Sequence, residues 1–182
     1  NATGSTGILN ISGTGSVTVN SNLEVGNQAG STGSVNVSGG ELTVTGTAYL
    51  GTRVSGTGYL NVSAGKVTLA NLTISNQTSA TGVLSISGGA VTATSRLVVG
   101  STQSSKATIS ISGGSLTSGA TSVSMGPDSV ATISVAGLGT WTSSTTTLSS
   151  GTNAATFITV SNGGRWTAGN ISTSTGLSSS TV

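Results

Sequence analysis

The stretch TGSVNVSGGELTVTGTAYLG, residues 32–51, decides the fold of this chain. Apolar and polar residues alternate in three short groups, VNV, LTV and AYL, and each group has the period of a half-buried β-strand. Glycines stand between the groups, where they adopt the conformations of tight bends without steric cost. The stretch therefore predicts three short strands separated by two corners.

The same pattern recurs along the chain, for example as TGVLSISGGAVTATSRLVVG at residues 81–100. A fixed period of this length is typical of solenoids, in which each repeat forms one coil and buries its apolar side chains only by stacking on its neighbours. The last aliphatic residue of each first group returns at intervals of 24 to 26 residues, at Ile11, Val37, Val62, Ile86, Ile111, Val135 and Val160.

The period predicts an all-β fold, a single-stranded parallel β-solenoid of about seven coils with three strand-bearing faces. Coils stacked about 4.8 Å apart pair every backbone group with the coil above and below and give a rod about 34 Å long. One continuous domain over residues 1–182, a segment of a longer chain, is expected. Its repeats lie at approximately 5–30, 31–55, 56–80, 81–106, 107–130, 131–155 and 156–182.

Three inward rows are predicted to form the core. The first consists of Leu9, Val35, Leu60, Leu84, Ile109, Ile133 and Ile158. The second runs from Val17 to Trp141 and Trp166, and beside these rings the next inward position shrinks to Ser143 and Ala168, which keeps the core volume roughly constant. The third is read as Val25, Leu50, Ile74, Val99 and Met125, followed by a corner at Gly26, Gly51, Gly100, Gly126 and Gly151, and the last two repeats lack a clean third strand.

Two outward rows and two aromatic residues are the candidate surface features. A threonine recurs in every coil, at Thr18, Thr43, Thr68, Thr92, Thr117, Thr142 and Thr167. Asn10, Asn36 and Asn61 are placed to form a stacked amide ladder, and Glu41 and Lys66 should lie side by side in adjacent coils. Tyr59 and Phe157 are the outward aromatic residues available for contact with a surface.

The composition excludes several chemistries. The chain has no Cys and no His, which rules out thiol nucleophiles, disulfides, zinc sites built on those residues and a Ser-His-Asp triad. Glu24, Glu41 and Asp128 fall too far apart for the ~5 to 9.5 Å carboxylate pairs of glycoside hydrolases. We expect no catalytic residue, no cofactor and no metal site, and hence no enzyme.

Charge and hydropathy limit the classes of partner that are expected. Charged residues make up 4% of the chain, against about 25% in a typical soluble domain. The five basic residues are scattered, so nucleic acid is not an expected partner. No apolar run of membrane-spanning length occurs, and no membrane span is predicted in this segment.

The phased pattern L-x-V-S-G-G-x-(V/L)-T, followed by L-x-(V/I)-G, resembles the repeats of bacterial autotransporter passenger domains and of PEP-CTERM-associated surface proteins. This resemblance covers almost the whole chain. It implies a right-handed β-helix displayed outside a bacterial cell, in a protein that is adhesive or structural.

We therefore expect a non-enzymatic extracellular rod of a bacterial surface or secreted protein. Its expected partners are other solenoid coils or copies of itself, end to end or side by side, together with surface polysaccharide or a host or abiotic surface. An alternative is a filament subunit that assembles by end-to-end stacking, because open coil edges invite continuation. A further alternative is an ice- or glycan-binding module that uses the threonine row or the aromatic residues.

Overall fold

A computed structural model describes residues 3–148, 151–173 and 179–181 of the chain. The described residues form one sheet of 14 strands and contain no helix. The strands are β1 (Thr6–Ile11), β2 (Ser16–Val19), β3 (Leu23–Val25), β4 (Thr32–Leu50), β5 (Thr57–Ile74), β6 (Thr81–Ile86), β7 (Ala90–Val99), β8 (Lys106–Ile111), β9 (Ser115–Val123), β10 (Val130–Val135), β11 (Thr140–Leu148), β12 (Ala155–Val160), β13 (Arg165–Thr173) and β14 (Ser179–Thr181).

Every strand pairs in parallel with the equivalent segment of at least one neighbouring coil. The prediction of an all-β solenoid with about seven stacked coils is thereby confirmed. We call the segments equivalent to β1, β2 and β3 the first, second and third faces. In the second and third coils the three faces run together as the single long strands β4 and β5, and register shifts mark their corners.

The first inward row is continuous along the solenoid. Leu60 pairs with Leu84, both are at most 1% exposed, and the whole row stacks in register as Leu9, Val35, Leu60, Leu84, Ile109, Ile133 and Ile158. Only Leu9, in the first coil, is partly exposed. Burying a large aliphatic side chain stabilises a fold by roughly 1.5–3 kcal/mol, so this row is a main source of stability.

The third inward row differs from the prediction at its far end. Val99 pairs with Val123, and Met125 lies in the loop beyond the strand with 38% of its surface exposed. The third face also persists in the last two coils, where β11 and β13 pair through Leu148 and Thr173. Both predictions were wrong for one reason. One of the two inward positions of the third face is polar in these coils, at Thr121, Thr146 and Thr173, so the alternation that marks a strand is lost from the sequence.

The corner after the third face is built on left-handed backbone, and not every coil uses glycine for it. Gly51 and Gly100 have φ of 72° and 68°, but the equivalent positions in the coils between and after them are Ser75 and Ser124, with φ of 63° and 52°. Backbone hydrogen bonds join this position from coil to coil, as from the Ser124 N–H to the Val99 carbonyl. The prediction that Gly126 forms this corner was therefore wrong.

Candidate functional site

The second face carries the threonine row. The seven threonines pair in register from Thr18 to Thr167, at the strand spacing of about 4.8 Å. The row is half-buried in coils two to four and exposed at both ends. The hydroxyl of Thr68 is buried and has no hydrogen-bond partner among the described residues. The row is thus a continuous surface feature of uneven exposure.

Charges interrupt the row beside the threonines. Lys66 Nζ lies 2.9 Å from Glu41 Oε1, and the two side chains are 63% and 42% exposed. Arg165 occupies the same row in the last coil, where it pairs with Thr140. A flat, uncharged hydroxyl surface of the kind that orders water therefore does not extend over this face.

The asparagine row of the first face forms a hydrogen-bonded ladder. Asn36 Nδ2 donates to Asn10 Oδ1 over 2.8 Å, and Asn61 Nδ2 donates to Asn36 Oδ1 over 2.9 Å. Each amide thus joins two coils on the outside of the rod. Serines continue the row from Ser85 onward. The ladder stiffens the first three coils and leaves its outer edge open to a partner.

The two outward aromatic residues lie on the first face but not together. Tyr59 pairs with Ser34 and Val83 in its row, and Phe157 pairs with Thr132. Four coil steps separate the two rings along this row, about 19 Å at strand spacing. They cannot contact one sugar ring or one apolar group at the same time.

The acidic residues are also dispersed. Glu24 lies on the third face of the first coil, Glu41 on the second face of the next, and Asp128 in a loop ahead of β10. Across the described ranges, no group of three or more His, Cys, Asp or Glu side chains is placed to hold a metal ion. The Asp128 carboxylate accepts a 3.3 Å hydrogen bond from Asn153 Nδ2 one coil further on.

Inside the fifth and sixth coils lies a polar network that the sequence pattern did not reveal. Ser118 and Thr121 are buried and share a 3.0 Å hydrogen bond, and Ser143 and Thr146 repeat the arrangement at 2.9 Å. These residues occupy inward positions that are aliphatic in earlier coils. The sequence did contain a sign of this network, because inward residues change to Ser and Thr in the coils next to the two tryptophans.

No protein-family model, no curated protein and no solved structure matches this chain. Within the part of the chain that the structure describes, no helix is long and apolar enough to cross a membrane. The described residues form a parallel β-solenoid with an aliphatic core that becomes partly polar toward the last coils.

Proposed function

We propose that this chain is a structural and adhesive rod displayed outside a bacterial cell, with no catalytic activity. The unbroken ladder of parallel pairs from β1 to β12 and β13 supports this proposal most directly. Each coil is bonded to the next on every face, so a load applied at one end is shared by many parallel hydrogen bonds. The resemblance of the repeats to those of secreted surface proteins supports the location.

The surface chemistry suits adhesion better than catalysis. Hydroxyl and amide side chains line the outward rows, and among the described residues one ion pair joins charged side chains. Such faces make many weak hydrogen bonds to a hydrated polymer, and repetition along the rod adds them together. The expected targets are surface polysaccharide and host or abiotic surfaces.

A flow-detachment experiment tests the adhesive role. Beads carrying this chain are allowed to settle on polysaccharide-coated and on bare glass, and their retention under shear is measured. The matched control is a chain of identical composition with a scrambled order, which keeps the Ser, Thr and Gly content but loses the period. Greater retention of the folded chain supports the proposal, and equal retention of both chains contradicts it.

A second candidate, a filament that assembles end to end, is favoured by the geometry of the first coil. Among the described residues, β1, β2 and β3 pair on one side only, with β4. At this end a depression of about 550 Å³ is lined by apolar Ile8, Leu9, Leu23 and Val25. A further coil, supplied by the same polypeptide or by a second copy, would cover both the free backbone groups and this apolar surface.

Sedimentation over a concentration series distinguishes the two sources of that coil. If copies stack, the average mass rises with concentration, and Val17→Lys, which places a charge at the half-buried rim, keeps the chain monomeric. Thr142→Lys, on the outward threonine row and far from this rim, serves as the charge-matched control. A wild-type chain that remains monomeric throughout contradicts the filament.

A further inference from the structure

One depression of the surface combines aromatic, amide and oppositely charged side chains. It lies on the third face of the first three coils, has a volume of about 230 Å³, and is lined in part by Asn22, Glu24, Tyr49, Arg53, Asn76 and Gln77. Its floor is the outward row in which Glu24 pairs with Tyr49 and Tyr49 with Thr73. Its wall is the loop that follows the third face in each coil. Stacking therefore assembles the site from residues distant in sequence.

Most of these polar groups have bonding capacity that the protein does not use. Asn22 Oδ1 accepts a 2.9 Å hydrogen bond from the Thr47 N–H, which fixes the amide and leaves its NH₂ group available. Arg53 Nε donates to Asn27 Oδ1 at 3.4 Å, which leaves the two terminal nitrogens of the guanidinium free within the described structure.

Three further lining side chains make no hydrogen bond within the described structure, whereas Thr52 donates to the Gly26 carbonyl. The described residues provide no hydrogen-bond partner for the side chains of Glu24, Asn76 or Gln77, and Glu24 is not ion-paired with Arg53. Acceptors and donors thus lie around one depression that is open to solvent. A ligand rich in hydroxyl groups replaces solvent water there without loss of hydrogen bonds.

Tyr49 gives the depression an apolar surface. It is the one aromatic residue of the third-face outward row, where its register neighbours are Glu24 and Thr73. The side chain is half-buried, which holds the ring in place while part of it stays accessible. An immobilised ring presents apolar area at small entropic cost, and the C–H groups of a pyranose pack against such a ring.

The charges of the site give a simple ion of either sign no net advantage. Glu24 attracts a cation that Arg53 repels, and Arg53 attracts an anion that Glu24 repels, whereas a neutral polyol uses the carboxylate as acceptor and the guanidinium as donor. We propose that this depression binds one neutral sugar residue of a polysaccharide. This inference deepens the adhesive function proposed above and rests on it, since it names the class of polymer and the place of contact.

Titration of the isotope-labelled chain with cellotetraose, maltotetraose, xylotetraose and mannotetraose, followed by amide chemical shifts, tests the proposal. We expect at least one of these neutral probes to perturb residues around Tyr49, Arg53 and Gln77. Tyr49→Ala should weaken that binding about tenfold and Tyr49→Phe should preserve it, because the ring supplies the packing surface. Retention by the Phe variant separates loss of the ring from loss of folding.

The chain offers a matched control for each side chain. Glu24→Gln and Arg53→Gln should each weaken binding about threefold to tenfold, the effect of one lost charge-assisted hydrogen bond at an exposed site. Tyr59→Ala, Glu41→Gln and Arg96→Gln change the same residue types elsewhere and should leave it unaltered.

Three outcomes overturn the assignment. The first is the absence of any chemical-shift change with the four sugars at millimolar concentration. The second is a set of shift changes that map to the first face and vanish with Tyr59→Ala. The third is binding of free glycine in place of the sugars. None of these outcomes affects the flow-detachment result, which compares the folded chain with its scrambled control. A site that fails is therefore distinguishable from an adhesive role that fails.

Discussion

Trp141 Nε1 donates a 3.1 Å hydrogen bond to Ser118 Oγ, which lies one coil earlier in the chain. Both side chains are buried. Trp166 bonds Ser143 at the same distance and stacks on Trp141 with ring centroids 4.7 Å apart. The small serine thus gives the large ring both space and a hydrogen-bond acceptor, and the pair repeats along the solenoid axis.

Ser118→Ala should destabilise the fold by about 1–3 kcal/mol, because it leaves a buried indole N–H without an acceptor. Urea unfolding followed by circular dichroism measures the change. Ser143→Ala is the matched control with a smaller expected cost, since Trp166 is only half-buried and water can reach its N–H. A double-mutant cycle with Trp141→Phe separates the hydrogen bond from the space that the smaller ring leaves, and a coupling energy near zero would show that the hydrogen bond is not responsible.

Val91→Asp should reduce the free energy of unfolding by about 3–5 kcal/mol, because it places a charge without a partner in the aliphatic core. Val91 is 0% exposed and lies between Val67 and Leu116 in the second inward row. Thr92→Asp is the control, one residue further along and on the outward side. A lower melting temperature for Thr92→Asp than for Val91→Asp would mean that the inward and outward rows have been exchanged, and equal melting temperatures would also contradict the prediction.

Gly51→Ala and Gly100→Ala should differ although both glycines have left-handed backbone at the same corner. A Cβ at Gly51 would lie 2.6 Å from the Thr81 carbonyl oxygen, whereas at Gly100 the nearest atom is Ser105 Oγ at 3.6 Å. We expect Gly100→Ala to cost about 1–2 kcal/mol, the penalty of the left-handed conformation, and Gly51→Ala clearly more. Thermal melts of the two variants decide, and equal costs would contradict the prediction.

The Lys66–Glu41 ion pair should contribute little to the free energy of unfolding. Both side chains are largely exposed, and such pairs add about 0–1 kcal/mol that salt further reduces. A double-mutant cycle of Lys66→Ala and Glu41→Ala at low and high ionic strength measures this coupling. A coupling well above 1 kcal/mol that persists in high salt would be evidence against a simple surface pair.

The sequence was enough to predict the coil and its register wherever aliphatic residues repeat. Leu60 and Leu84 are in register because apolar side chains recur at a fixed interval and have one place to pack. The prediction failed in the fifth coil, where it placed Met125 in the third inward row. The residue in that row is Val123. Inward Thr121 had removed the alternation there, and hydropathy alone does not distinguish a buried hydroxyl from an exposed one.

The volume argument correctly predicted that small inward residues accompany the two tryptophans. It did not predict that the serine bonded to each indole lies in the preceding coil. It matched Trp141 with Ser143 on its own strand, whereas the indole N–H reaches Ser118 in the coil before. The depression beside Tyr49 was not predicted either. Its walls are loops outside the repeating pattern, and their side chains meet only because successive coils stack.

Equivalent residues of successive coils lie in register, and this has a consequence for how genes of this kind change. Deletion of residues 66–89 would bring Leu42 against Val91 and Glu41 against Ala90, the same positions of the repeat that pair now. Unequal recombination between repeats therefore yields a shorter or longer rod in whole coils, with the core preserved at the new junction. The length of such a protein can therefore change during evolution by duplication or loss of single repeats, without an intermediate variant that fails to fold.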